Sequence, residues 1–96
     1  MVARTSSWSG SPEIMEAWAE HAATKVVPFV SGLPGNTGCV ILIDREAGRG
    51  LTLTLWDSEE AARESDRNAE QSRASTVAAT GIELNERGRY QVVARA

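Results

Sequence analysis

The clearest change from strand to helix lies in residues 51–61, which read Leu-Thr-Leu-Thr-Leu-Trp-Asp-Ser-Glu-Glu-Ala. The strict alternation through Trp56 predicts a β-strand with the three leucines on one face and both threonines and the tryptophan on the other. Asp57 or Ser58 then carries a side chain suited to a helix N-cap. We therefore expect a helix over about 58–79, whose many alanines would let it pack closely on a sheet.

The residues before this strand predict its partner in an antiparallel hairpin. Residues 38–44 contain five consecutive apolar side chains, and such a run indicates a strand buried on both faces. A polar, glycine-containing turn over 44–50 joins that strand to the one at 51–56. The chain is therefore expected to double back on itself here.

The N-terminal part predicts a strand over 2–8 followed by a helix from about Pro12 to Val30. Ser11 is a favourable N-cap, and proline is well suited to the first position of a helix. Pro28 is expected to kink this helix or to end its regular part. One stripe of apolar side chains at spacings of three and four is expected to face the core. The stripe consists of Ile14, Trp18, Ala22, Val26 and Phe29.

The C-terminal part completes the order of elements. Gly81 is expected to cap the alanine-rich helix, and a last strand is expected over 82–94 with a bulge at Gly88. The order strand, helix, strand, strand, helix, strand predicts an α+β, ferredoxin-like fold, in which two helices lie on one face of an antiparallel sheet. With 96 residues and 10.3 kDa, we expect residues 1–96 to form a single domain.

The strand pattern also predicts a homodimer. Two helices can cover only one face of a sheet, yet the apolar run of 39–43 indicates burial on both faces. If the sheets of two copies packed face to face, the second face of each sheet would be covered. Such packing would also add buried surface to a chain that is too short for a large core. Leu53 is then expected to be buried, so that a charge introduced there should destroy the fold.

Composition excludes several classes of partner. Ten basic against thirteen acidic residues give a net charge of −3, which argues against a basic surface for nucleic acid or anionic lipid. No apolar run approaches the ~20 residues of a membrane helix. Cys39 is the only cysteine, so neither an internal disulfide nor a cysteine zinc site is expected. Residues 1–5 lack the pattern of a signal peptide, and we expect a cytoplasmic protein.

Several segments together resemble small actinobacterial-type members of the antibiotic biosynthesis monooxygenase-like superfamily. These proteins are dimeric α+β barrels, and the resemblance extends over nearly the whole chain, most specifically from Gly48 to Ala61. It implies a range of functions that includes oxidation of polycyclic aromatic compounds by dioxygen without a cofactor, and degradation of haem. The segments are Leu33-Pro34-Gly35, Gly38, Asp44-Arg45, Gly48-Arg49-Gly50 and the strand-to-helix stretch 51–61.

The residues that mark the branches of this superfamily are only partly present. The haem-degrading branch typically has an asparagine in the first strand and a tryptophan and an axial histidine in the second helix, and this chain has none of these. The cofactor-free branch relies on tyrosine, asparagine, tryptophan and arginine around its pocket. This chain offers Trp56, Arg49 and its single tyrosine, Tyr90. The resemblance therefore favours the cofactor-free branch.

The candidate site residues have a functional and a structural interpretation each. His21, the only histidine, is a candidate general base, as its ordinary pKa is near neutral, or a plain surface imidazole. Arg49 is a candidate for anion stabilisation. Together with Arg45, Arg87 and Arg89 it lies in or near a turn and could hold an anionic ligand, although such residues usually belong to a solvated surface. Five aromatic residues could line a flat ligand pocket or serve core and interface packing. They are Trp8, Trp18, Phe29, Trp56 and Tyr90.

Two functional hypotheses follow from these residues and from the resemblance. The first is a cofactor-independent monooxygenase acting on a small aromatic or quinol-type compound, with no cofactor and no metal. The second is a non-catalytic dimer that binds a small molecule or a protein partner. Turnover of a bound aromatic compound would separate the first from the second.

Overall fold

A computed structural model describes all residues, 1–96. It contains four strands and two helical regions in the expected order, which confirms the α+β prediction. The strands are β1 (Val2–Ser9), β2 (Asn36–Asp44), β3 (Arg49–Trp56) and β4 (Glu83–Gln91). The helices are α1 (Pro12–His21), α2 (Val27–Ser31), α3 (Glu59–Glu64) and α4 (Asp66–Thr80), with a π-helical turn, Ala22–Val26, between α1 and α2.

The four strands form one antiparallel sheet in the order β2-β3-β1-β4. β1 lies inside the sheet and pairs with both β3 and β4, so that Thr5 stands opposite Leu53 on one side and Gly88 on the other. β2 pairs with β3 as the predicted hairpin. β1 and β4, the first and last elements of the chain, thus lie side by side in the sheet.

The first helical region is continuous but changes its winding. Ser11 caps α1 by accepting a hydrogen bond from the Ile14 backbone N–H, as expected. Pro28 lies in the first turn of α2, directly after the π-helical turn. The wider turn rotates the residues that follow it, so that Val30 is buried whereas Phe29 is 44% exposed. The prediction that Phe29 packs in the core with the apolar stripe was therefore wrong.

The second helical region is divided in two at Ser65. Ser58 is the N-cap of α3 and accepts a hydrogen bond from the Ala61 N–H. At the break, the buried Ser65 hydroxyl donates to the Ala62 carbonyl at 2.8 Å, a local bond that competes with regular helix geometry. Gly81 ends α4 in the left-handed conformation at φ 77°, as predicted.

The irregularity of β4 does not lie at Gly88. The register shift falls opposite Ser7 and Trp8, where Asn85 is the extra residue. At Gly88 the missing side chain leaves room for an aromatic ring instead. A Cβ there would approach Cε2 of Tyr90 to 2.6 Å and Oγ1 of Thr5 to 2.9 Å.

The two faces of the sheet differ in what covers them. The covered face, under the helices, holds two buried clusters built around Trp56 and around Trp8 and Trp18. The open face carries the leucines of β3 together with Val40 and Leu42, which are 46% and 48% exposed. Leu53 lies on this open face and is only partly buried, so its expected complete burial is not achieved within one chain.

No helix has both the length and the apolar character needed to cross a membrane.

Candidate functional site

A narrow cleft lies between the covered face of the sheet and the helices. The cavity within it has a volume of about 50 Å³. Its walls come from β1, β3, the first helical region and α4, so that it is assembled from distant parts of the chain. Seventeen residues line it, nine of them hydrophobic.

Three indole rings dominate the lining, and hydrogen bonds hold two of them in place. The Trp8 Nε1–H donates to Oγ1 of Thr52 at 2.9 Å, and the Trp56 Nε1–H donates to Oγ1 of Thr54 at 3.0 Å. The Trp8 and Trp18 ring centroids are 6.3 Å apart, at an interplanar angle of 43°. Each threonine satisfies an indole N–H, so that neither of these buried rings leaves a donor without a partner.

Trp18 can reach the sheet because β3 has a glycine beneath it. A Cβ on Gly50 would lie 2.4 Å from Cη2 of Trp18, which is closer than atoms can approach. Glycine here therefore serves close packing of the helix on the sheet.

Arg4 is a buried cation in the wall of the cleft. Its guanidinium donates to Oγ of Ser65 at 2.9 Å and to the Ala62 carbonyl, forms an ion pair with Asp66, and lies 5.4 Å from the centroid of Trp56. Burial lowers the pKa of Arg4, while the hydrogen bond and charge of Asp66 act in the opposite direction. Arg4 thus positions α3 and α4 against β1 and also brings positive charge to the cleft.

Arg73 is a second cation of the cleft, and it takes part in none of the ion pairs of the structure. Burial lowers the pKa of Arg73, and the neighbouring charges of Arg87 and Arg4 lower it further. Glu70 and Asp66 oppose this effect but contribute less. An anion bound beside Arg73 would therefore stabilise the charged form of its guanidinium group.

Four of the five predicted aromatic residues line the cleft together. Trp8, Trp18 and Trp56 are buried, and Phe29 lines the cleft with almost half of its surface exposed. Tyr90, 62% exposed, lies on the open face and is separated from the others by the sheet. A role of these residues in binding stays a prediction.

The two candidate catalytic residues are not brought to the cleft. His21 is the last residue of α1 and is absent from the lining. Arg49 begins β3, is largely exposed, and lies 3.6 Å from a carboxylate oxygen of Asp44. Cys39, half-buried on β2, has its thiol pKa raised by burial, which disfavours the reactive thiolate. No group of three histidine, cysteine or acidic side chains is arranged to hold a metal ion.

Sequence reasoning missed the polar part of the cleft, although a signal for it exists. In β1 the period-two pattern places Arg4 on the same face as Val2, Ser6 and Trp8. In α4 the polar lining residues recur at spacings of three and four, which marks a single helix face. Those residues of α4 are Asn68, Ser72, Arg73 and Thr76.

Comparison with known sequences gives limited information. No family model matches the sequence. Two uncharacterised proteins from two strains of Mycobacterium tuberculosis are each 29% identical to it over 59 residues, or 62% of this chain. The chain spans about a quarter (26%) of the length of these curated relatives.

Comparison with solved structures is more informative about the fold. A Deinococcus radiodurans protein, provisionally described as an antibiotic biosynthesis monooxygenase, has a TM-score of 0.77 at 15% identity, over 100% of this chain and 96% of its own. The cofactor-independent oxygenase SnoaB of Streptomyces nogalater has a TM-score of 0.67 at 17% identity, over 98% and 94%.

A third similar structure contains a ligand. A monooxygenase of Streptomyces coelicolor in complex with nanaomycin D has a TM-score of 0.69 at 16% identity, over 99% of this chain and 87% of its own. The protein thus has the fold of the antibiotic biosynthesis monooxygenase-like proteins, as the resemblance implied.

Proposed function

We propose that the protein is a cofactor-independent monooxygenase acting on a small aromatic or quinol-type compound. The observation that carries this proposal is the cleft, in which three indole rings and Phe29 surround a narrow slot. A shared fold does not establish a shared activity, so the lining of the cleft has to support it. The oxygenase activity of SnoaB and the nanaomycin D bound to the Streptomyces coelicolor enzyme are consistent with a cleft of this kind.

The proposed reaction needs no electron donor other than the substrate. Oxidation of an anthrone-type ring CH₂ to a carbonyl releases four electrons, and reduction of one dioxygen molecule takes up four. One oxygen atom becomes the carbonyl oxygen, and the other leaves as water with both hydrogens of the CH₂ group. A hydroquinone would instead lose two electrons and two protons to dioxygen, forming a quinone and hydrogen peroxide.

The residues of the cleft would act on the substrate anion. Arg4 and Arg73 bring positive charge to it, which would stabilise an enolate or phenolate. The indole rings would exclude water and hold the flat substrate in one orientation. The lining contains no carboxylate, imidazole or phenol. Ionisation of the substrate would thus depend on stabilisation of its anion and not on a protein base.

The open face supports the proposal of a homodimer. It presents a contiguous apolar strip on the two strands β2 and β3, with Val40 and Leu42 about half exposed. Apolar surface of this kind is rarely left exposed in a monomer. A second copy fits it because its own open face is equally apolar and the contact would close with two-fold symmetry.

A second candidate function is binding without turnover. The absence of a titratable acid or base other than arginine from the cleft favours it, because catalysis would then rest on the substrate alone. Such a protein would bind the same flat aromatic compounds and release them unchanged. The two candidates share the ligand and differ only in whether dioxygen is consumed.

Dioxygen uptake with a panel of anthrones and hydroquinones tests the first candidate. We expect uptake above the rate without protein, and a decrease of about tenfold in Phe29→Ala, which removes an aromatic contact at little risk to the fold. Val77→Ala is the matched control, because it shortens an exposed apolar side chain that does not line the cleft. Binding without uptake would leave the second candidate, and absence of both would overturn the aromatic-ligand proposal.

A further inference from the structure

Four arginines gather at one end of the cleft. They surround an open depression beside β4 whose remaining lining residues are Asp66 and Gly88. We call this depression the arginine basin. It is lined by no hydrophobic side chain, in contrast to the neighbouring cleft. The four arginines are Arg4, Arg73, Arg87 and Arg89.

The positive charge of the basin is only partly neutralised. Asp66 forms ion pairs with both Arg4 and Arg89, and Glu59 lies 3.5 Å from Arg89. These two arginines therefore have structural partners and hold α3 and α4 against the sheet. The concentration of arginine at one place contrasts with the net charge of −3 of the chain.

The other two arginines are left without a carboxylate partner. Neither Arg73 nor Arg87 takes part in an ion pair or a side-chain hydrogen bond within the structure. Arg73 comes from α4, whereas Arg87 comes from β4, where it stands opposite Ser6 in register. Two guanidinium groups from different elements thus line the same depression without an ion-pair partner of their own. Their mutual repulsion is reflected in the lowered pKa of Arg73, which has burial as its main cause.

The basin and the cleft share two lining residues, Arg4 and Arg73. Their guanidinium groups therefore lie where the two adjoin, and an acidic substituent on a ligand held in the cleft would meet them there. We propose that the arginine basin binds a carboxylate carried by the aromatic ligand, with Arg73 and Arg87 as its principal partners. This inference rests on the proposed function, because it adds an acidic substituent to the aromatic compound proposed above.

The chemistry of the two groups explains the preference for a carboxylate. Guanidinium presents parallel N–H donors that match the two oxygens of a carboxylate, and such charge-assisted bonds are stronger than neutral ones. The planar carboxylate also continues the plane of an aromatic ring, which suits the narrow slot. The ligand class is therefore a flat aromatic carboxylic acid.

Isothermal titration calorimetry with a matched pair of probes tests this inference. The probes are anthraquinone-2-carboxylate and its methyl ester, which share the ring system and differ in charge. We expect the wild-type protein to bind the acid at least about tenfold more tightly than the ester. In Arg73→Gln the acid should lose about tenfold in affinity, with little change for the ester. Arg67→Gln removes an exposed arginine from the same helix outside the basin and should leave both affinities unchanged.

The outcomes separate the two proposals. Equal affinity for acid and ester, or an equal loss for both in Arg73→Gln, would overturn the carboxylate site and leave the aromatic cleft in place. Binding of neither probe would overturn both. Preferential binding of the acid with no dioxygen uptake from any substrate would support the carboxylate site and overturn the oxygenase. Thermal melting of each variant excludes loss of the fold as the cause.

Discussion

The two faces of the sheet reverse the usual distribution of polarity. The face under the helices carries Arg4, Ser6 and the two threonines of β3 among its tryptophans, whereas the face without helices is the aliphatic one. In a sheet with one helical layer, the aliphatic face would ordinarily be the covered one. Here the arginine and the two threonines are accommodated because each has a hydrogen-bond partner. No fully buried side-chain nitrogen or oxygen is left without one.

This difference indicates that each face serves a separate purpose. The covered face combines stability with a cleft, because the indole rings that line the cleft are held in place by threonine hydroxyl groups. The open face presents its apolar area on β2 and β3, beside serines of β1 that bond to Asn85 and to the Glu86 N–H. Apolar area of this kind is typical of a surface that a second copy covers. The predictions below perturb one face at a time.

The largest effect is expected from Trp18→Ala on the covered face. Trp18 is 1% exposed and packs directly on Gly50. Its truncation should lower the free energy of unfolding by about 3–5 kcal/mol, because a cavity would replace the ring. Urea denaturation measures the loss, with Trp18→Phe as the control that keeps an aromatic ring and should lose much less. A loss below about 1 kcal/mol for the alanine variant would contradict this packing.

On the open face, Leu53→Asp should weaken the association of two copies. A charge on this face would oppose association of two apolar sheets, and we expect the dimer dissociation constant to rise at least about 100-fold. Analytical ultracentrifugation at micromolar concentrations measures it. Val77→Asp, a new charge on an exposed apolar position of α4, is the control. A wild-type protein that is monomeric at these concentrations would refute the role assigned to the open face.

Arg4→Ala should have an intermediate effect on stability. It removes charged hydrogen bonds to Ser65 and to the Ala62 carbonyl, and it leaves these acceptors buried. We expect a loss of about 2–3 kcal/mol in the free energy of unfolding. Arg63→Ala, an exposed arginine of α3 outside the ion pairs, should change stability little. Equal effects of the two substitutions would show that the network of Arg4 does not stabilise the covered face.

The smallest expected effect is the contribution of Cys39 to the pH dependence of the free energy of unfolding. Burial raises the pKa of its thiol above the ordinary value, so the unfolded chain loses this proton at lower pH than the folded one. Stability should therefore fall as the pH rises above about 8.5, the ordinary pKa of a free thiol. Cys39→Val lacks this titration, and the difference between the two proteins in urea denaturation isolates it. A difference that does not change with pH would place the thiol in a solvent-like environment.

Local signals were sufficient for most of the fold. Alternation predicted β3, and residue types that favour strands predicted β1. The capping residues Ser11 and Gly81 placed a start and an end of helices within a residue or two. These features depend on side chains close together in the chain, so periodicity and capping chemistry reveal them. The π-helical turn before Pro28 could not be predicted in this way, and it decided that Phe29 lies at the cleft and outside the core.

The candidate site was predictable only in part. The tryptophans were identified because large aromatic residues are conspicuous in a short sequence. Arg4 and Arg73 were not identified as a site, because they are far apart in sequence and only the packing of α4 on β1 brings them together. Alternation separated the two faces of β3 but could not say which one the helices cover. That choice depends on long-range partners for the indole and guanidinium groups, and only the tertiary structure provides them.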